Sequence, residues 1–261
     1  MHLGDQLREY LEARSPLAVA LSGGVDSRTL TYFCALQGLP YKAYTFVGPH
    51  LTHYELDQVF AWIQKTRISH EFIHFDFSQD PDLTANTRQR CYYCKKNLFS
   101  KLRSHIPEGT TMVDATQASD LNQYRPGIKA LEELGVKSPF LDLGIDREQV
   151  SLLAGQMGMT NTRNYSRSCL LTRFYYGYPL KRHEVDRVRC IDDYLLQSGI
   201  AGFRLRIFSA ERIELQADPA EKENLESLLP QLDLHMRQVN LFPYKLIYMP
   251  FENISGYFDR E

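Results

Sequence analysis

A chain of 261 residues, 43% hydrophobic and 24% charged, has the length for a full core and the composition of a globular protein, which excludes a disordered or fibrous one. With 30 basic against 32 acidic residues the formal charge is −2, so no global basic field invites nucleic acid, and nucleic-acid partners are not expected. No basic-then-apolar segment opens the chain and no apolar run is long enough for a bilayer, so the expectation is a soluble cytoplasmic protein with no membrane partner.

The predicted elements begin with an amphipathic helix over His2–Arg14, which places Leu3, Leu7, Tyr10 and Leu11 on one face. Leu17–Leu21 is a short apolar run that turns abruptly into Ser-Gly-Gly and reads as a buried parallel strand. Helix over Ser27–Gln37, strand over Tyr41–Val47, helix over Leu51–Thr66 and strand over His70–Phe75 follow. Gln79–Arg90 is polar and irregular. A helix over Cys91–His105 then leads to a strand at Thr111–Ala115. Short apolar strands alternating with helices predict an α/β fold with a doubly wound parallel sheet, which binds ligands beyond the carboxyl ends of its strands. Beyond Cys169 the pattern changes. A helix over Lys181–Gln197, strands at Phe203–Phe208 and Arg212–Gln216, a helix over Pro219–Leu229 and a strand at Lys245–Met249 make a smaller α+β domain. The Tyr/Gly/Pro stretch Tyr175–Pro179 places the boundary, giving domains 1–176 and 177–261.

Ser22-Gly23-Gly24-Val25-Asp26-Ser27 sits between the first strand and the helix after it. Glycines let the backbone pass close to a ligand, converging N–H groups bind an anion, and the helix N-terminus adds partial positive charge. The Ser22 and Ser27 hydroxyls are donors to phosphate. Asp26 repels phosphate unless Mg²⁺ bridges the two. The competing reading is a Gly-rich turn with an Asp cap. The Gly-Lys-Ser/Thr ending of a Walker loop is absent. The hexapeptide in this context resembles the PP-loop of ATP pyrophosphatases, which split ATP into AMP and pyrophosphate.

The five cysteines, an odd number in a reducing compartment, read as thiols, ligands or nucleophiles rather than a disulfide framework. Cys91 and Cys94 form a CxxC whose thiols lie one helical turn apart, which suits a metal, a redox pair or two half-buried core residues. With Cys169 they would make an incomplete zinc site, or hold a four-iron four-sulfur cluster with one iron left open. Cys34 and Cys190 read as core residues, as does Trp62.

Taken in order, these pieces resemble the LarE family, ATP-dependent sulfur transferases that serve the nickel-pincer cofactor pathway. The resemblance runs from about Leu17 to Gln216. Besides Ser22–Ser27 it rests on Arg90-Cys91-Tyr92-Tyr93-Cys94-Lys95, Thr116-Gln117-Ala118-Ser119-Asp120, Tyr124-Arg125-Pro126-Gly127 and Leu134-Gly135-Val136-Lys137-Ser138-Pro139. The segment from Ser166 through Cys169 to Arg173, then Phe203-Arg204-Leu205-Arg206 and Arg212-Ile213-Glu214, complete it. The approaches Asn86–Arg90 and Tyr165–Ser168 depart from the family pattern.

The resemblance implies an adenine nucleotide alpha-hydrolase-like fold and a defined chemistry. ATP, with Mg²⁺, adenylylates a carboxylate of a small-molecule nucleotide, and a sulfur nucleophile displaces AMP. It implies catalytic roles for Asp26, Arg173 and Cys169, and ATP binding by Ser22, Gly23, Gly24, Asp26 and Ser27. Arg173, Arg204 and Arg206 match positions that face substrate phosphate, for which guanidinium forks are suited; surface ion pairs are the alternative. Cys91, Cys94 and Cys169 match the members in which three cysteines hold an iron–sulfur cluster carrying transferable sulfide. In other members the cysteine matching Cys169 gives up its own sulfur. Asp120 is placed either to orient Mg²⁺ or the adenylate, or to cap a helix. A tRNA thiolase of the PP-loop class, an amide-forming relative and a nucleotide-binding redox sensor are the rivals. Association into a homo-oligomer stays open.

Overall fold

The computed structural model describes residues 3–159 and 165–260. In chain order the elements are α1 (Leu3–Glu12), β1 (Leu17–Ala20), α2 (Val25–Leu36), β2 (Tyr41–Val47), α3 (His53–Thr66), β3 (His70–His74), α4 (Pro81–Thr84), α5 (Arg90–His105) and β4 (Thr111–Val113). They continue with α6 (Gly127–Glu133), α7 (Pro139–Asp142), α8 (Arg147–Gln156), α9 (Arg182–Gln197), β5 (Phe203–Ile207), β6 (Ile213–Ala217), α10 (Lys222–Gln238), β7 (Lys245–Tyr248) and α11 (Phe251–Ile254).

These elements form two compact units, each drawn from three segments. The first is Met1–Val47, Asp57–Phe75 and Cys91–Thr162; the second is Gly48–Leu56, Asp76–Arg90 and Arg163–Glu261. The second unit thus includes stretches that follow β2 and β3, which a single cut between 176 and 177 assigns to the N-terminal part.

The first unit carries an all-parallel sheet in the order β3-β2-β1-β4. Chain order runs outward from β1 to β3 and then jumps to the other side at β4. That reversal makes it doubly wound, with a crevice beside β1 where the strand order changes direction. The core explains why these segments fold so. Leu7 and Leu11 of α1, Leu30 and Phe33 of α2, Phe140 of α7, and Val150 and Leu153 of α8 bury against Leu17, Val19 and Val113. A second cluster packs Val59 of α3 on Leu21 and Ala43, with Trp62 partly buried against it. Cys34 is fully buried in the larger cluster.

The second unit has a three-stranded sheet, order β5-β6-β7, in which β5 and β6 are antiparallel and β6 and β7 parallel. Its helix α10 runs to Gln238, well beyond the predicted stop at Leu229, and continues through Pro230. Proline usually ends a helical reading, but burial of Leu225, Leu232 and Met236 along one face carries the helix past the missing N–H. Cys190 is a correction. It is exposed, because α9 turns Val185, Val188, Ile191 and Leu195 inward and leaves position 190 on the outer face.

No helix among the described residues is long and apolar enough to cross a membrane.

Candidate active site

Strand β1 ends at Ala20, and the chain passes through Leu21 and Ser22 into α2. Gly23 stands at φ +82°, a left-handed conformation that side chains disfavour, and a Cβ there would lie 2.3 Å from Val59 Cγ2. Only glycine fits both constraints. The Ser27 hydroxyl donates to the Gly24 carbonyl at 3.1 Å and accepts from the Ser22 N–H at 3.2 Å, while the two serine hydroxyls lie 3.1 Å apart. The loop is therefore held closed by its own serines with its backbone at the start of α2.

A cavity of about 210 Å³ opens here, lined among others by Ser22, Gly24, Asp26, Ser27, Lys95, Asp114, Asp120 and Arg125. Asp26 Oδ1 is buried and has no hydrogen-bond partner. Burial first, and then the Asp120 carboxylate, push the Asp26 carboxyl above its usual range, against the pull of Arg147 and Arg125. Asp120 accepts from the Gln117 N–H at 3.2 Å and from Arg125 at 2.8 Å. It thus serves as the third residue of a capping box on the 3-10 turn Ala118–Asn122 as well as lining the cavity. An unsatisfied buried carboxylate oxygen beside a second carboxylate suits a hard cation. Mg²⁺, with two carboxylates and the remainder from phosphate and water, fits these residues.

Three members of this wall carried no assigned role from sequence. Lys95 follows the CxxC, Asp114 follows β4 and Arg125 follows the Asp120 turn. The readable signal was position: Asp114 falls at the carboxyl end of a buried parallel strand, where ligands bind.

Cys91 and Cys94 occupy the first turns of α5, half-buried and reduced, and Cys94 immediately precedes the cavity-lining Lys95. Among the described residues no group of three or more His, Cys, Asp or Glu side chains is gathered to hold a metal ion.

In the second unit, Cys169 is half-buried at the N-cap of the 3-10 turn Leu170–Arg173, and its carbonyl accepts from the Thr172 hydroxyl at 2.6 Å. Arg173 is fully buried. Its Nε and Nη2 donate to one oxygen of Asp192 at 3.3 and 2.9 Å, and Nη1 to Ser168 at 2.9 Å. Arg167 Nη2 reaches the same Asp192 oxygen at 3.2 Å.

Arg204 and Arg206 alternate on β5 and so share a face, as the spacing predicts. They are not surface ion pairs. Both are buried, Arg204 donating to the Phe203 and Ser166 carbonyls and Arg206 to Gln216 and to the Thr172 and Ile254 carbonyls. Burial, then the charge of Arg173, lowers the Arg204 pKa, and the same two causes bring Arg206 down to about 9. Arg204 Nε has no hydrogen-bond partner. Four guanidinium groups gathered around Asp192, with Glu55 3.8 Å from Arg167, leave positive charge in excess. Replacing Asp192 by Ala is expected to lower unfolding stability by about 3–5 kcal/mol, since it strands buried arginines. A urea unfolding midpoint unchanged from the parent chain would refute that role.

No family model matches the chain. It is 32% identical over 223 residues to the uncharacterized protein slr1717 of Synechocystis sp., covering 84% of this chain and 83% of that one. It is 29% identical over 205 residues to the pyridinium-3,5-bisthiocarboxylic acid mononucleotide synthase of Lactiplantibacillus plantarum, covering 76% and 74%. Identity to the uncharacterized protein MJ0830 of Methanocaldococcus jannaschii is 25% over 220 residues, 83% of each chain. At 32% identity over more than four fifths of each chain, the protein belongs to the family of slr1717, and the similarity to the Lactiplantibacillus plantarum synthase supports a LarE-like relationship.

Proposed function

We propose that this chain is an ATP-dependent sulfur transferase that adenylylates a carboxylate of a pyridinium-type mononucleotide and replaces its oxygen by sulfur. The observation that carries the reading is the cavity at the Ser22–Ser27 loop, where a buried, unpartnered oxygen of Asp26 shares the lining with a lysine. The Ser22–Ser27 loop shares its cavity with Lys95, the residue next to Cys94. The similarity to a synthase of a bisthiocarboxylic acid mononucleotide supports the acceptor class.

In the first step a carboxylate oxygen attacks the α-phosphorus of ATP, the bond to the pyrophosphate oxygen breaks, and an acyl adenylate and pyrophosphate form. The glycine loop receives the phosphates through its N–H groups. Asp26 and Asp120 would hold Mg²⁺, which would supply charge neutralisation for the departing pyrophosphate. In the second step a thiolate or sulfide adds to the activated carbonyl and AMP leaves, which turns a poor oxide leaving group into a good one. Arg173, Arg204 and Arg206 receive the acceptor's phosphate, for which the excess of buried guanidinium charge is suited. The sulfur would come either from the Cys169 side chain itself or from sulfide that an iron–sulfur cluster would supply, as the three-cysteine resemblance implies.

Anaerobic incubation with ATP, Mg²⁺ and a pyridinium dicarboxylate mononucleotide is expected to yield AMP, pyrophosphate and thiocarboxylate together. Absence of pyrophosphate with every acceptor would leave a nucleotide-binding sensor. Release that depends on tRNA instead of the small acceptor would make the chain a tRNA thiolase. Iron and sulfide analysis of anaerobically purified protein decides whether a cluster is held.

A further inference from the structure

Asp114 is the first residue past β4, at the carboxyl edge of the parallel sheet, and its side chain is 5% exposed. Its Oδ1 accepts from the Ser138 hydroxyl at 2.6 Å and the Thr116 N–H at 3.2 Å. Its Oδ2 accepts from the Thr116 hydroxyl at 2.6 Å and from Lys95 Nζ at 3.2 Å. Both oxygens are therefore filled by donors, and the carboxylate has one orientation. Burial works against its charge, yet Lys95, Ser138 and Thr116 hold the carboxyl below its usual range. The backbone is fixed as well: the Asp114 N–H donates to Lys137 at 2.9 Å, tying the strand end to the segment that carries Ser138.

Lys95 is held at its other end. A Cβ on Gly127, the first residue of α6, would stand 2.9 Å from Lys95 Cγ and 3.2 Å from the Cys91 carbonyl oxygen. Glycine at 127 thus lets α6 press against the lysine stem, while Asp114 receives the ammonium. The ammonium has three N–H donors, and Lys95 keeps 38% of its side chain exposed in the cavity wall it shares with Ser22, Gly24, Asp26 and Ser27. The other cation of that lining, Arg125, is paired with Asp120.

We propose that Lys95 grips the α-phosphate of the bound nucleotide and that Asp114 is the positioning residue that aims it there. The proposal deepens the adenylylation reading and rests on it for the identity of the nucleotide. A fixed ammonium at the α-phosphate meets charge where the leaving pyrophosphate bond breaks, without reorganisation at the moment of reaction.

The test compares AMP with adenosine, which differ by that phosphate, in calorimetric titrations of the full chain. Lys95→Met is expected to weaken AMP by about tenfold or more while adenosine stays within about twofold, the scale of one charge-assisted hydrogen bond. Asp114→Asn, which keeps the shape, is expected to cause a smaller loss with the same selectivity. Added to Lys95→Met it should cost AMP nothing more, because its effect passes through Lys95. Losses that multiply in the double variant, adenosine falling in step with AMP, or Lys95→Met leaving AMP unchanged would each overturn the proposal. Should Asp114→Asn fail to fold, Ser138→Ala removes one of its donors from outside the cavity lining. It is expected to weaken AMP selectively and to have no effect in the Lys95→Met background; an effect that persists there would refute the coupling. A parent chain that shows this pattern but never forms thiocarboxylate would sink sulfur transfer and leave the Lys95–Asp114 assignment standing. One that binds neither AMP nor adenosine would sink both.

Discussion

Asp26→Ala is expected to cut the conversion of ATP to AMP and pyrophosphate by about a thousandfold, the rate equivalent of the several kcal/mol a bound metal ion contributes to such a step. The fold should survive. Asp26 Oδ1 has no hydrogen bond to lose, and burial together with Asp120 already disfavours its charge. Thermal stability equal to or above that of the parent chain, with turnover lost and no longer responsive to Mg²⁺, is the expected pair of results. Ser22→Ala should lose less, because the Ser27 hydroxyl keeps its own bond to Gly24. Unchanged AMP formation in Asp26→Ala would remove the PP-loop assignment.

Cys169→Ser is expected to abolish thiocarboxylate formation while pyrophosphate release persists, since the thiol acts after adenylylation in both sulfur routes. The parent protein separates them. In the sacrificial route the Cys169 thiolate attacks the acyl adenylate, AMP leaves, and a thioester forms. A base then takes the Cα proton, the Cβ–S bond breaks, and the thiocarboxylate departs, leaving dehydroalanine with no change of overall oxidation state. One turnover exhausts the chain, and mass spectrometry reads the loss of H₂S at position 169. In the cluster route the thiol stays intact and added sulfide supports many turnovers. Cys91→Ser and Cys94→Ser sharpen the contrast, because only the cluster route needs them. Dehydroalanine at 169 would eliminate the cluster as sulfur source, and an intact thiol after many turnovers would eliminate the sacrificial route.

The two sites differed in how far they could be read in advance. The glycine loop was legible because each requirement is local: a strand that ends in Ser-Gly-Gly, a residue needing positive φ, a helix that starts at once. The arginines on β5 were legible as a pair sharing a face, since strand alternation depends only on spacing. Their environment was not. Spacing alone leaves phosphate contact and surface ion pairs both open, and only folding showed the pair buried against Phe251, Phe258 and the Ser166 carbonyl. The helices α6, α7 and α8 are hard to read from sequence for a related reason. Short turns starting at Gly127, Pro139 and Arg147 carry weak periodicity, and their burial comes from packing, as with Phe140 and Val150 in the main core.

The sequence by itself determined the α/β class, the place of the glycine loop and the membership of Asp26 and Ser27 in it, because these follow from periodicity, backbone stereochemistry and neighbours in the chain. The tertiary structure alone decided what surrounds them. It brought Asp120 into the field of Asp26, set Lys95 on Asp114 across 19 residues of chain, and joined Arg173 to Asp192 on α9. Charge pairs of this kind are fixed by distances that spacing along a chain does not encode. They form where sheet and helices leave a carboxylate buried, and the cation that reaches it is whichever the packing delivers.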